Sequence, residues 1–322
     1  MTVTLGLAGD TMLGRSVAEG LSSGSPEDLV SRGVLDVARE ADLFVLNLEC
    51  CISERGEPWP APGKPFFFRA PPVAVEALVH LGVDCVTVAN NHALDYGETA
   101  LLDTLHLLRS ANIACVGAGP DVAAARAPAV IRSDGFRLAV LGVTDHPEDF
   151  AARPGRAGVA FADLPKEVPA WLLEVVEGAA SDADAVLVTP HWGPNMAAEP
   201  VDHVRAAAQA LVAAGATLVA GHSAHVLQGV QGRVLFDVGG FIDDYAVDPI
   251  LRNDLGLLFL VTLDRAGPSR IEAVPLALDF CFTRIATGDE AAWIGRRLRQ
   301  ACAGFGTDVT DEDGRFVITD RR

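Results

Sequence analysis

Asn91 and His92 stand side by side in the stretch Ala89-Asn90-Asn91-His92-Ala93-Leu94-Asp95-Tyr96-Gly97, directly after an apolar run at residues 83–88. An amide oxygen next to an imidazole can supply a metal ligand and a proton donor from adjacent positions, which is what hydrolysis at a metal centre needs. An Asn-rich turn with a surface histidine would explain this stretch on its own, because Asn is a common turn residue. The rest of the chain shifts that balance. Other apolar runs end in the same way: residues 3–8 at Gly9-Asp10, 41–48 at Glu49, 185–190 at His191, and 217–220 at Gly221-His222-Ser223-Ala224-His225. Asp10, Glu49, Asn91, His92, His191, His222 and His225 combine hard carboxylate and amide oxygens with imidazoles and no thiolate. That mixture suits Mn²⁺, Fe²⁺ or Zn²⁺ better than Ca²⁺ or a Cys-bound structural zinc. Two such ions sharing one carboxylate would generate hydroxide at neutral pH and clamp a phosphoryl or carbonyl oxygen. His80, His106, His146 and His203 are set aside as lacking that context.

For these positions to meet, the apolar runs must be strands whose carboxyl ends open on one crevice, as in an α/β sheet; residues as distant as Asp10 and His225 can then converge. Helical spacing between the runs supports this layout. It predicts helices at 26–39 with Ser25 as N-cap, 73–81, 98–111, 165–180, 201–214 closed by Gly215, and 289–303. Further strands are expected at 113–116, 137–143, 233–238, 257–263 and 271–278. Residues 53–72 are rich in Pro and Gly and read as a surface excursion, one that could carry Lys64 and Arg69 to the crevice. Residues 144–164 read as irregular. No linker interrupts the chain, so the expectation is one domain over 1–322. Its motif-bearing core covers about 3–245, and C-terminal strands and a helix at about 251–320 pack on it.

Half of the 322 residues are hydrophobic, which provides for a large core and argues against disorder. The formal charge of −18 excludes long-range attraction to nucleic acid or an anionic membrane and points to a small-molecule substrate. No apolar run reaches membrane-spanning length, and the first residues lack a signal-peptide pattern, so a soluble cytoplasmic protein is expected. Cys50, Cys51, Cys85, Cys115, Cys281 and Cys302 show no C-x-x-C spacing and read as reduced core thiols, with Cys50-Cys51 near enough to Glu49 to touch the site.

Gly9-Asp10-Thr11-Met12-Leu13-Gly14-Arg15, Asn47-Leu48-Glu49, Phe68-Arg69-Ala70-Pro71, the Asn91-His92 stretch, His191-Trp192-Gly193, and Gly221-His222 to His225-Val226 resemble, in order, the motifs of the CapA (poly-γ-glutamate capsule biosynthesis) family. That family resembles a branch of the calcineurin-like metallophosphoesterases. The resemblance implies a four-layer αββα sandwich and two divalent metal ions. Asp10 and His225 would hold one ion, Asn91, His191 and His222 the other, and Glu49 would bridge them. It further implies His92 as proton donor, Asp95 as the residue that orients it, and Arg15, Arg69 and Asn195 as substrate contacts. Three positions depart from the pattern. Met12 stands where the wider superfamily has a histidine, Asn195 where the family has Glu, and Gly240 where it has Asn; the N-terminal anchor of membrane-attached capsule proteins is not seen either. The function expected is that of a metal-dependent hydrolase or acyl-transfer enzyme. It would act on an amide or ester bond of a small, carboxylated, glutamyl-like substrate through a metal-bound hydroxide or an amine. A phosphoesterase with the same site, or a non-catalytic accessory subunit of a poly-γ-glutamate-type synthase, are the alternatives.

Overall fold

A computed structural model describes residues 1–60 and 63–320. Ala61 and Pro62, inside the expected excursion, and Arg321 and Arg322 lie outside the described residues. Two sheets dominate. The ten-stranded sheet runs Thr307–Glu312, Arg315–Asp320, Gly267–Asp279, Leu255–Asp264, Val3–Thr11, Leu43–Leu48, Cys85–Thr87, Ala114–Val116, with Gly240–Ile242 beside the first strand and Phe282–Ile285 beside Gly267–Asp279. The six-stranded sheet runs Val230–Gln231, Val234–Leu235, Leu218–Ala220, Ala185–His191, Phe136–Thr144, Ala129–Ser133.

Strand alternation explains the layering, because successive side chains point to opposite faces. Leu5, Leu7, Leu43 and Val45 of the first sheet pack in one core with Leu138, Val140, Ala185, Leu187, Leu218 and Ala220 of the second. Their neighbours face outward. Phe44, Leu46 and Leu48 pack against helices Arg15–Ser23, Arg32–Ala38, Ala74–His80 and Gly97–Ser110. Ala139, Leu141, Val186 and Val188 pack against helices Ala170–Asp182 and Asp202–Ala213. Helix, sheet, sheet, helix is thus the order of layers, the four-layer αββα sandwich. Both strand faces are covered, which is why these strands read as unbroken apolar runs.

The central strands of both sheets are parallel. Each leaves the core on the same side: Val3–Thr11 with Asp10, Leu43–Leu48 into Glu49, Ala185–His191 with its last residue, Leu218–Ala220 into Gly221-His222. His191 and His222 form an isolated parallel bridge that continues the second sheet past its strands, and Asn47 Nδ2 of the first sheet lies 3.5 Å from His191 Nδ1, so the two sheets come together there.

Some expectations need correction. The helix expected over 26–39 is broken into a 3₁₀ turn, Pro26–Leu29, and a helix, Arg32–Ala38. Val30 between them is extended because it bridges Thr283, and Ser31 N donates to Thr283 O at 2.8 Å; a tertiary contact overrides local spacing. Ser25 does cap the first piece, accepting from Glu27 N in a capping box with Asp28. The helix Arg15–Ser23 was not anticipated, since Gly14 caps it without a side chain and its buried residues are only Val17 and Leu21. The excursion is not wholly superficial: Cys51–Ile52 pairs with Arg69–Ala70, and Phe68 is buried. The hairpin Thr307–Glu312 and Arg315–Asp320, unread in the sequence, extends the first sheet.

Gly9 makes the approach of Gly240–Ile242 to the first strand possible. A Cβ there would overlap the carbonyl oxygen of Gly239, which accepts from Asp10 N at 2.9 Å. Gly9→Ala is expected to destabilise the protein by about 2–3 kcal/mol by forcing these backbones apart. Urea unfolding of the variant checks this, and an unchanged midpoint would contradict the close packing.

Candidate metal centre

Asp10, Glu49 and His225 bring ligand atoms within 4.8 Å of one another. His225 Nδ1 lies 2.8 Å from Asp10 Oδ2 and 3.7 Å from Glu49 Oε2, and His222 Nδ1 lies 3.4 Å from Asp10 Oδ1. All four residues are buried. Among the described residues, ten buried side-chain nitrogen or oxygen atoms lack a hydrogen-bond partner, and five of them are Asp10 Oδ2, Glu49 Oε1, Asn91 Oδ1, His222 Nδ1 and His225 Nδ1. Buried polar atoms are almost always paired, so an excess concentrated on one set of hard donors is what a cation would resolve. The residues present therefore fit a divalent cation.

Electrostatics points the same way. Burial pushes the Asp10 carboxyl up, but the attraction of the His222 and His225 imidazoles facing its two oxygens outweighs it and holds Asp10 well below the usual carboxylate range. Glu49 goes the other way: burial lifts it well above that range, and the attraction of His225 does not compensate. Burial alone would push His225 down, yet Glu49 and Asp10 draw it up to about 10. His191 is driven well below the ordinary imidazole range by burial and stands ready as a neutral donor. The proton that His225 keeps up to about pH 10 offsets part of the buried negative charge, and Glu49 is pushed toward its neutral form.

A second set of side chains fixes the first. Asn47 Nδ2 donates to Asp10 Oδ1 at 2.7 Å and lies 3.5 Å from His191 Nδ1. Asn90 Nδ2 donates to Asn47 Oδ1 at 3.0 Å and to Leu48 O at 2.8 Å, and its own oxygen accepts from His92 N at 3.1 Å. Asn90 thus builds the turn, while Asn91 keeps a free amide oxygen. His225 has φ +58° and Ser223 φ +109°, a left-handed backbone that non-glycine residues rarely adopt. Asp237 holds this loop through Ala224 N at 2.8 Å and Gly239 N at 2.8 Å.

His92 Nδ1 lies 2.6 Å from Asp95 Oδ2, an oxygen that also accepts from Phe68 N at 2.6 Å, and Lys64 Nζ reaches Asp95 Oδ1 at 3.0 Å. Lys64 also donates to Asn91 O at 2.8 Å. The Phe68 ring lies on His92 with centroids 4.0 Å apart, and Tyr245 packs between Phe68 and His225. Burial lowers the His92 imidazole, overcoming the pull of Asp95.

Arg15 is ion-paired with Asp244 at 3.2 Å and lies over Phe66 and Phe68. Arg69 lies 4.1 Å over the Tyr96 ring and donates to the carbonyls of Arg55 and Gly56. Asn195 is exposed on the turn after His191. Cys51 Sγ donates to Phe68 O, and burial drives its thiol up to about 12; Cys50 is driven well above its ordinary range by the same cause, so neither offers a thiolate. Met12 is buried, and its sulfur accepts from Gly14 N at 3.0 Å. Sequence reasoning missed Asp237, Asp243, Asp244 and Tyr245, of which Tyr245 Oη reaches within 3.5 Å of Glu49 Oε2. The available signal was again an apolar run before a carboxylate, Val234-Leu235-Phe236 and Phe241-Ile242. It missed His146 as well, whose ring lies 5.3 Å from that of His191.

An α/β sandwich that gathers oxygen and imidazole donors at its parallel strand ends is a candidate metalloprotein. Comparison with known proteins makes the assignment narrower. Residues 4–245 match the family described as bacterial capsule synthesis protein PGA_cap, a stretch that contains all of the candidate ligands. Similar proteins include a probable polyglutamine synthesis accessory protein of Mycobacterium tuberculosis, 31% identical over 288 residues, with 83% of this chain and 74% of that protein covered. The PGA biosynthesis protein CapA of Bacillus subtilis is 30% identical over 274 residues, covering 83% and 70%. The capsule biosynthesis protein CapA of Bacillus anthracis is 30% identical over 258 residues, covering 75% and 60%. The chain belongs to the PGA_cap family of bacterial capsule synthesis proteins. No helix among the described residues is long and apolar enough to cross a membrane.

Because His225 keeps its proton up to about pH 10, a cation taken up on its ring nitrogen would displace that proton. Affinity for Mn²⁺ or Zn²⁺ is expected to rise with pH up to about 10, roughly tenfold per pH unit for that proton. Calorimetric titration in buffers of different ionisation enthalpy measures that release, and pH-independent binding without proton release would contradict the ligand assignment.

Proposed function

We propose that this protein is a metal-dependent enzyme that breaks or forms an amide or ester bond of a small, carboxylated, glutamyl-like substrate, with hydroxide or an amine as nucleophile. The observation that supports it best is the set of buried atoms on Asp10, Glu49, Asn91, His222 and His225 that lack hydrogen-bond partners, beside an Asp-held imidazole. Asp10 and His225 would hold one ion and Asn91, His191 and His222 a second, with Glu49 shared. Such ions supply a nucleophile at neutral pH and polarise the bond under attack.

The protein's own groups do the rest. Asp95 holds His92 through Nδ1, so the other ring nitrogen is the one that moves a proton to the leaving group. Lys64 neutralises the second Asp95 oxygen, and the Phe68 ring covers one face of His92 against water. Arg15, Arg69 and Asn195 are our candidates for substrate contacts. Arg15 is the best placed of the three, because its guanidinium lies over the Phe68 ring that itself stacks on His92. The formal charge of −18 fits a small substrate better than a nucleic acid or a membrane surface.

A second reading has support of its own: a relative covering most of this chain is named an accessory protein, which would make the fold and its ions a scaffold in polymer synthesis. Phosphoester hydrolysis would use the same donors. His92→Ala separates catalysis from scaffold. Turnover of a panel of γ-glutamyl amides, aryl phosphates and phosphodiesters is expected to favour the amides and to fall about 10²–10⁴-fold in the variant, with metal content and melting temperature unchanged. Turnover of aryl phosphates alone would replace the amide reading with the phosphoester one. A protein that binds metal but turns over nothing on the panel would favour the scaffold.

A further inference from the structure

His146 is an imidazole without a role so far. It follows the strand Phe136–Thr144, which pairs in parallel with the strand that ends in His191. Its Nδ1 is bonded to Asp145 Oδ1, and the other Asp145 oxygen accepts from Gly193 N at 2.9 Å and faces His203 Nε2 at 3.1 Å. The Asp145 side chain is only 3% exposed, and its backbone N–H donates to His191 O at 3.2 Å. Thr144 Oγ1 grips the backbone of His146 twice, donating to its O at 2.7 Å and accepting from its N at 3.3 Å. The ring is therefore anchored from behind. A carboxylate on one ring nitrogen leaves the lone pair on the other, and this is the arrangement found behind metal-ligating histidines.

His92 and Asp95 share that arrangement but differ in their neighbour. The ring stacked on His92 is Phe68, whereas the ring beside His146 is His191, with centroids 5.3 Å apart and planes at 47°. Two imidazoles that bind one ion at nitrogen distances of about 2.0–2.1 Å and roughly tetrahedral angles have ring centres about 5 Å apart. We propose that His146 is a further ligand, through Nε2, of the divalent cation held by His191, with Asp145 as its positioning residue and His203 holding Asp145 in place. This rests on the metal centre proposed above. The side chain is 37% exposed, which puts this donor at the mouth of the centre while His191 and His222 close its inner side.

Zn²⁺ and Mn²⁺ titration calorimetry on the full chain, with the visible spectrum of the Co²⁺-loaded protein, tests the assignment without any substrate. His146→Ala is expected to melt as the wild type and to lose about 10–100-fold in affinity for one ion, with altered Co²⁺ bands; Asp145→Asn should lose about tenfold. Adding His146→Ala to His191→Ala should cost nothing beyond His191→Ala alone, since both serve one ion. Wild-type affinity and an unchanged Co²⁺ spectrum in His146→Ala would overturn the proposal while leaving the metal centre intact. A wild-type protein that binds no divalent ion would instead remove the centre itself, and this proposal with it.

Discussion

The fold has to keep two carboxylates and several imidazoles out of water with too few hydrogen bonds to satisfy them. Asp10 and Glu49 are almost fully buried, and both interact with His225. Unpaired buried charge costs several kcal/mol per group, and like charges at this spacing cannot both remain ionised without a cation between or beside them. The opposite displacements of Asp10 and Glu49 express that conflict: one keeps its charge because two imidazoles face it, and the other is pushed toward its neutral form. A divalent ion removes the conflict directly. Everything around the cluster serves to hold it in place against its own repulsion.

What holds it is a pair of parallel sheets sharing one apolar layer. Because Leu5 and Leu7 face Leu138, Val140 and Leu187 across that layer, the strand ends of both sheets are fixed at one height. Hydrogen bonds then lock the loops that follow. Asn47 ties the first sheet to His191 of the second, Asn90 ties the turn before His92 to the end of Leu43–Leu48, and Asp237 ties the loop of His222 and His225 to the chain after Val234–Leu235. Loss of any one of these ties would leave a ligand free to swing away from the cluster. The left-handed backbone at Ser223 and His225 is tolerated because those ties over-determine it.

The sequence made the candidate ligand positions legible where a long apolar run stopped abruptly at Asp, Glu, Asn or His. Asp10, Glu49, His191 and His222 all have this form. Where a strand is short or broken by glycine, the same signal is faint: Gly240–Ile242 has three residues, so the apolar pair Phe241-Ile242 before Asp243 and Tyr245 is too short to read as a strand. His146 was hidden for a different reason, because it opens an irregular segment whose order comes from Asp145 and Thr144 and not from periodicity. The two-sheet layering was legible in the covered strands, but the helix Arg15–Ser23 and the break at Val30 depend on contacts between distant segments. Spacing along the chain cannot report those.

The Gly221-His222-Ser223-Ala224-His225 loop shows how narrow the tolerance of this arrangement is. A Cβ at Gly221 would overlap the carbonyl oxygen of Phe236 and crowd the Trp192 indole, whose N–H donates to that same carbonyl at 3.0 Å. The chain must therefore pass between the His191-Trp192 strand end and the Phe236 backbone with no side chain of its own. Only after that passage can it turn left-handed at Ser223 and again at His225. Two histidines three residues apart would share a face on a helix, but this segment is not helical. The two reversals do that work instead, bringing both Nδ1 atoms to the two oxygens of Asp10. The left-handed backbone at Ser223 and His225 is costly for non-glycine residues. Its retention is intelligible if the two imidazoles and Asp10 are required at one point in space, which is the geometric condition for binding a shared cation.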